Sequence, residues 1–199
     1  MTNIFILGLS RTGKSSITKK IVEEFPYYKV IPLDIIINAY KKKFNDGQIG
    51  YSKENIKENK LALFIENIIN QYFDENDPPF IIEGDSILPE EYHKYFEQGD
   101  NICYFLINSK TPTEKVADCR QYDSNKECSS HLNDQELLTH FEEDDKIQQI
   151  IREQTQKFNY PIIDVSKNRE KQLEDTYQKI KSIIKNPQNL WIFLIGTNW

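Results

Sequence analysis

The sequence predicts an α/β fold, a parallel β-sheet covered by helices on both faces. Three observations carry this expectation. Five short β-type runs recur along the chain, at Ile4–Leu7, Lys29–Leu33, Phe80–Glu83, Ile102–Ile107 and Ile162–Val165. Such mostly apolar runs suit strands buried on both faces, as parallel strands are. Helical patterns fill the intervals, which is the alternation of a parallel sheet with crossover helices. At 199 residues the chain is long enough to bury such a core within one domain.

The first run opens directly into Gly8-Leu9-Ser10-Arg11-Thr12-Gly13-Lys14-Ser15, a complete G-x-x-x-x-G-K-[ST] motif, and a helix from Ser15 to Phe25 continues from it. A buried strand that empties into a glycine-rich turn and then a helix aims backbone N–H groups and a positive helix end at one spot. Polyphosphate can sit there. Gly8, Ser10, Arg11, Thr12, Gly13, Lys14, Ser15 and Ser16 are therefore the expected nucleotide-binding residues. Lys14 is placed to reach the β- and γ-phosphates, and the Ser15 hydroxyl to ligate Mg²⁺. A glycine turn with a surface lysine would account for neither the strand before nor the helix after.

The second run ends in Asp34. Residues 35–79 then hold two helices, more than one crossover requires: one from Ile35, another capped by Ser52 and running to about Phe73. The third run ends in Glu83-Gly84-Asp85, and a helix starts near Pro89. After the fourth, Thr111-Pro112-Thr113-Glu114 is a capping box with proline at the first helical position, opening a helix towards Tyr122. Residues 120–133 are almost wholly polar and form a solvated flap. Asp134 starts a long helix whose buried stripe is Leu137, Leu138, Phe141, Ile147, Ile150, Ile151 and Phe158. Ser166 caps the last helix, which Asn186-Pro187 stops. The apolar tail 187–199 is an edge strand, a dimer contact or a docked terminus.

Composition narrows the function classes. With 25 basic against 31 acidic side chains, a net charge of −6 and only four arginines, the chain lacks the electrostatic footprint of a nucleic-acid binder. The longest apolar run, Leu190–Ile195, falls far short of the ~20 residues a membrane span needs. Ile4–Leu7 is too short for a signal-peptide core, so the expected location is cytoplasmic. Cys103, Cys119 and Cys128 are odd in number and argue against a disulfide framework. Zinc on Cys119, Cys128 and His131 would need spacings that match known sites poorly. His93 and His140, without an acidic partner evident in sequence, are expected on helix surfaces.

Together the phosphate loop, Asp34 in Pro32-Leu33-Asp34, the Glu83-Gly84-Asp85 triplet and the polar flap resemble the small P-loop kinases, a group that includes adenylate, shikimate and gluconate kinases. The resemblance spans about residues 1–185. It implies a P-loop NTPase three-layer sandwich of strand order 2-3-1-4-5 within a single domain, 1–199. Residues 35–79 would be the acceptor-binding insert and 120–133 a lid over the phosphates. It also implies ATP and Mg²⁺, with the γ-phosphoryl passing to a small-molecule hydroxyl acceptor.

Site roles follow from the same resemblance. Asp34 would orient the acceptor hydroxyl or act as base, or else only cap the helix from Ile35. Glu83 would hold a Mg²⁺-bound water, with Asp85 the fallback; Asp85 or Ser86 could instead cap the helix near Pro89. Arg120, at the leading edge of the lid, resembles the arginines that embrace a transferring phosphoryl group. Arg152 is either another such arginine or part of a solvated helix face, and Lys126 could serve the lid too. Arg169 sits where relatives wrap the adenine.

One departure bears on the acceptor. Nucleoside monophosphate kinases clamp the acceptor phosphate with bidentate arginines, yet no arginine lies between Arg11 and Arg120. An acceptor bearing only hydroxyls is favoured. The alternatives are a nucleoside monophosphate kinase, a nucleotide switch or a non-catalytic ATP-binding module acting through a partner. Asn108-Ser109-Lys110 does not complete the guanine motif N-K-x-D. The tail offers a route to a homodimer.

Overall fold

The computed structural model describes residues 2–44, 49, 60–73, 77–122 and 131–186. Within them β1 (Asn3–Gly8) leads to α1 (Lys14–Glu24), β2 (Lys29–Pro32), α2 (Leu33–Lys43) and α3 (Leu61–Tyr72). There follow β3 (Phe80–Gly84), α4 (Pro89–Phe96), β4 (Asn101–Ile107), α5 (Pro112–Tyr122), α6 (Asp134–Phe158), β5 (Ile162–Asp164) and α7 (Arg169–Lys185). The strands form one parallel sheet of order β2-β3-β1-β4-β5. The expected fold and strand order are both observed.

Side chains alternate across the sheet with the period of two that strands impose. Phe5 and Leu7 of β1, with Phe105 and Ile107 of β4, face the layer made by α2, α3, α4 and α6, where Leu33, Leu61, Ile65, Tyr92 and Ile151 are buried. Ile4 and Ile6, with Tyr104 and Leu106, face α1 and α7 through Ile17, Ile21, Leu173 and Ile180. Three layers result. Burying both faces gives the strand side chains little contact with water, which is why β1 carries an unbroken apolar run. A third, smaller cluster of Cys119, Leu137 and Phe141 joins α5 to α6.

Local differences from the sequence expectations have physical reasons. β2 ends at Pro32 and α2 begins at once with Leu33, so Asp34 stands in the first turn of a helix, not at the end of a strand. The tight entry depends on Gly84: a Cβ there would lie 2.6 Å from the Cβ of Leu33, which packs onto the end of β3. Asp34 does not cap α2, whose N-cap is Pro32. α4 follows Leu88, whose N–H donates to Glu91 at 2.7 Å, so neither Asp85 nor Ser86 caps it. α7 starts at Arg169 after Asn168, two residues later than a Ser166 cap would give. The N–H of Ser166 donates to Asp164 in a turn instead. The Thr111 capping box is as expected, with Glu114 accepting from the Thr111 N–H at 2.7 Å and donating its own N–H to Thr111 Oγ1 at 3.3 Å. The Ser52 cap, Lys126, Cys128, most of the 120–133 lid and the 187–199 tail lie outside the described residues. Among the described residues no helix is long and apolar enough to cross a membrane.

Candidate active site

The carboxyl ends of β1, β3, β4 and β5 gather along one edge, and the phosphate loop occupies its centre. Gly8 ends β1 at φ +139°, and a Cβ there would come within 2.0 Å of the Leu106 carbonyl oxygen on β4. Only glycine lets the two backbones approach this closely. From there Ser10–Ser16 curve along a cleft of about 780 Å³. Neither a side-chain cap nor an acidic residue occupies the first turn of α1, so its positive end is open to an anion. Thr12 Oγ1 donates to the Leu9 carbonyl at 2.9 Å, and Lys14 Nζ donates to the same oxygen at 2.7 Å. Lys14 is thus folded over its own loop, 9% exposed, with its amine at the cleft.

The sheet register sets Glu83 level with Ile6 and Pro32, beneath the start of α1. Glu83 accepts from Thr18 Oγ1 at 2.8 Å and from Ser15 Oγ at 3.3 Å. Two hydroxyls and a carboxylate make a hard-oxygen set of the kind Mg²⁺ takes, directly or through water. The set fits the ion that the loop implies. Thr18 was not evident as a site residue in the sequence, although it lies four residues after Lys14 and therefore on the same helix face.

Asp34, Glu83, Asp85 and Asp144 all act on Lys14. Burial lowers the Lys14 pKa, while Asp85, Asp34, Glu83 and Asp144 work to raise it. The Asp34 side chain is exposed, but its carboxyl is partly shielded. That shielding, then Asp85, holds its pKa above the ordinary carboxylate value against the pull of Lys14. Asp85 accepts from Ser86 Oγ at 2.7 Å. The fold thus brings Asp34, Glu83 and Asp85 within electrostatic reach of Lys14, from about 20 to 70 residues further along the chain.

The opposite wall of the cleft comes from α5 and α6. Lys115, Asp118 and Tyr122 line it from one helix, Phe141, Asp144 and Gln148 from the other, both sets at spacings of three and four. Gln148 accepts from the Asn108 N–H at 2.9 Å, Lys110 pairs with Asp118 at 2.6 Å, and the buried Lys115 donates to Asp145. Burial pushes the Asp144 carboxyl up to about 6, although His140 and Lys115 oppose the shift. None of Lys115, Asp144 and Gln148 stood out in the sequence. On α6 the signal was that Asp144 and Gln148 interrupt a buried stripe of Leu137, Phe141 and Ile151.

Arg169, on the β5 side, lines the cleft. Arg120 does not; its Nε donates to Asp134 at 2.7 Å and its Nη2 to the Leu132 carbonyl at 2.7 Å. Arg152, on a partly solvated face of α6, donates to Ser109 and, at 3.3 Å, to Asp164, tying α6 to the end of β5. Burial works to raise the Asp164 carboxyl, but hydrogen bonds from Ser109 and Ser166 prevail and hold it at about 2. The histidines do have acidic neighbours, one helical turn on: Glu97 lies 2.7 Å from His93, and Asp144 lies 3.7 Å from His140. Among the described residues no group of three His, Cys, Asp or Glu side chains is arranged to hold a metal ion.

Among solved structures the chain is similar to shikimate kinase from Bacteroides thetaiotaomicron, at 16% identity over 92% of this chain and 98% of that one, TM-score 0.55. The fold is that of the small P-loop kinases. A gluconokinase from Sinorhizobium meliloti 1021 shares the P-loop kinase fold at 14% identity, over 94% of this chain and 95% of that one, TM-score 0.57. A sugar kinase from Janibacter sp. HTCC2649 shares it at 12% identity, over 91% and 95%, TM-score 0.51. No family model matches the chain. No curated protein matches it either.

Proposed function

We propose that the chain is an ATP-dependent phosphotransferase that moves the γ-phosphoryl group of ATP to a hydroxyl of a small molecule. The observation that carries this reading is the meeting of Lys14, the Ser15–Glu83–Thr18 oxygen set and Asp34 at one sheet edge. Phosphoryl transfer asks a protein mainly for positioning and charge neutralisation. The loop and the amino end of α1 would cradle the phosphates, and Lys14 would leave the Leu9 carbonyl for the β- and γ-oxygens. Ser15 and Glu83 would hold Mg²⁺ and its waters; the ion neutralises phosphate charge when bound. Asp34, with its pKa above the ordinary value, would orient the acceptor hydroxyl and take its proton. Arg169 and the β4–β5 side would receive the nucleoside, because Asp34, Glu83 and Asp85 lie on the β2–β3 side.

The charge of the crevice favours an unphosphorylated acceptor. Asp34, Asp85 and Asp144 surround Lys14 together with Glu83, and Lys14 is committed to the donor. An incoming monophosphate would meet mostly negative charge. The decisive experiment follows acceptor-dependent ADP release over a panel of polyols, nucleosides and hydroxy acids, with nucleoside monophosphates as controls. A hydroxyl compound should turn over, and Lys14→Met should slow that turnover by about 10²–10³-fold. Turnover of monophosphates alone, or ATP binding with no acceptor-dependent ADP, defeats the proposal.

A further inference from the structure

Lys115 is buried far beyond the habit of lysine. Its side chain is 7% exposed, whereas that of its partner Asp145 is 36% exposed. A buried ammonium is costly unless it is paired, and lysines seldom accept that cost on a helix that could have turned them outward. Lys115 instead faces the cleft beside Asp118 and Tyr122, with Nζ 5.9 Å from the ring centre of Phe141 on the facing helix. Lys14 lines the same cleft from the loop. Asp144 lies within electrostatic reach of both ammonium groups, and both lysines line the one cleft. Arg120 is held on Asp134 and the Leu132 carbonyl, away from the cleft lining.

We propose that Lys115 is a second phosphate-binding cation of this site, one that leaves Asp145 for the terminal phosphates of the bound nucleoside triphosphate. The inference rests on the nucleotide reading above. A polyphosphate offers Lys115 more charge than one carboxylate does, and Asp145, being half-exposed, regains water when released. The competing role is structural: Lys115 and Asp145 would only staple α5 to α6. The two roles differ in which nucleotides they touch. A cation on terminal phosphates distinguishes ATP from AMP, and a staple does not.

Calorimetric titration with ATP, ADP and AMP in the presence of Mg²⁺ separates the roles without an identified acceptor. The full chain is compared with Lys14→Met, Lys115→Met, Lys115→Arg and Asp145→Asn, each checked by thermal melting. Lys115→Met should weaken ATP about tenfold or more, ADP less and AMP not at all, the size expected for one charge-assisted contact. Lys115→Arg should recover part of the loss. Asp145→Asn, which cuts the staple but keeps the cation, should bind ATP at least as tightly as the parent. ATP binding unchanged in Lys115→Met overturns the proposal, as does equal weakening of all three nucleotides in both Lys115→Met and Asp145→Asn. Where Lys115→Met melts early, Asp145→Asn decides: tighter ATP binding supports the proposal and weaker binding overturns it. A parent chain that binds no MgATP sinks the nucleotide reading itself, and with it this proposal.

Discussion

The phosphate loop takes its cleft-lining residues from one unbroken stretch, Leu9–Ser16, whereas the facing wall draws Lys115, Asp118, Tyr122, Phe141, Asp144 and Gln148 from two helices. The loop binds through backbone direction, a helix end and the close approach at Gly8, all of which are local. The wall works through side chains that point the right way only once α5 and α6 have docked through Cys119, Leu137 and Phe141. A site of the first kind is written in a motif. A site of the second kind is written in helical period and becomes visible on assembly.

Substitutions can break this comparison, and the largest effect belongs to the backbone. Gly8→Ala should cost about 4 kcal/mol or more, because its Cβ meets the Leu106 carbonyl and β1 must part from β4; denaturant unfolding measures it. Lys14→Met should leave the fold intact and lower phosphoryl transfer by about 10²–10³-fold, read from ADP release. If Lys14→Met unfolds the chain instead, the loop is a structural element as much as a site.

Asp34→Asn should reduce kcat by about 10²-fold, with nucleotide affinity kept. In the parent chain Asp34 must be ionised to accept a proton, so activity should fall as pH drops through its raised pKa. The acid limb should therefore lie above that of an ordinary carboxylate, and Asp34→Asn should abolish that limb. A pH–rate profile without it would remove Asp34 from the chemistry.

Asp144 tests the wall. Its pKa is raised on folding, from an ordinary 3.8 to about 6, so the stability it contributes is present below about pH 4 and is lost as pH rises through about 6. Asp144→Asn should then gain about 2–3 kcal/mol above pH 7 and nothing near pH 4, measured by unfolding at both. A gain of equal size at both pH values would mean that charge is not the cause. Smallest is Arg120→Ala, which loses an exposed pair with Asp134 and should cost under about 1 kcal/mol of stability. It should slow ADP release less than tenfold and less than Lys115→Met does. A larger loss returns the phosphoryl contact to Arg120.

Much of the sheet was legible because its strands are buried on both faces and its helices carry their own caps. Thr111 and Glu114 close their box without outside help, so the start of α5 could be read from four residues. Where a boundary depended on a distant neighbour, it moved. α2 begins at Leu33 because Gly84, on another strand, leaves room for it, and the last helix waits for Arg169 because Asp164 draws the Ser166 N–H into a turn. Asp34, Glu83 and Asp85 could be named because each lies at or just past an apolar β-type run, whereas only the fold shows Thr18 sharing Glu83 with Ser15.

By itself the sequence determined the alternating α/β layout and the phosphate loop, since both depend on contacts between near neighbours along the chain. Only the tertiary structure decided that four carboxylates act on Lys14, that Arg120 turns to Asp134 and that Lys115 is buried facing the cleft. Charge acts through space, and its neighbours are fixed by how helices pack, not by their order along the chain.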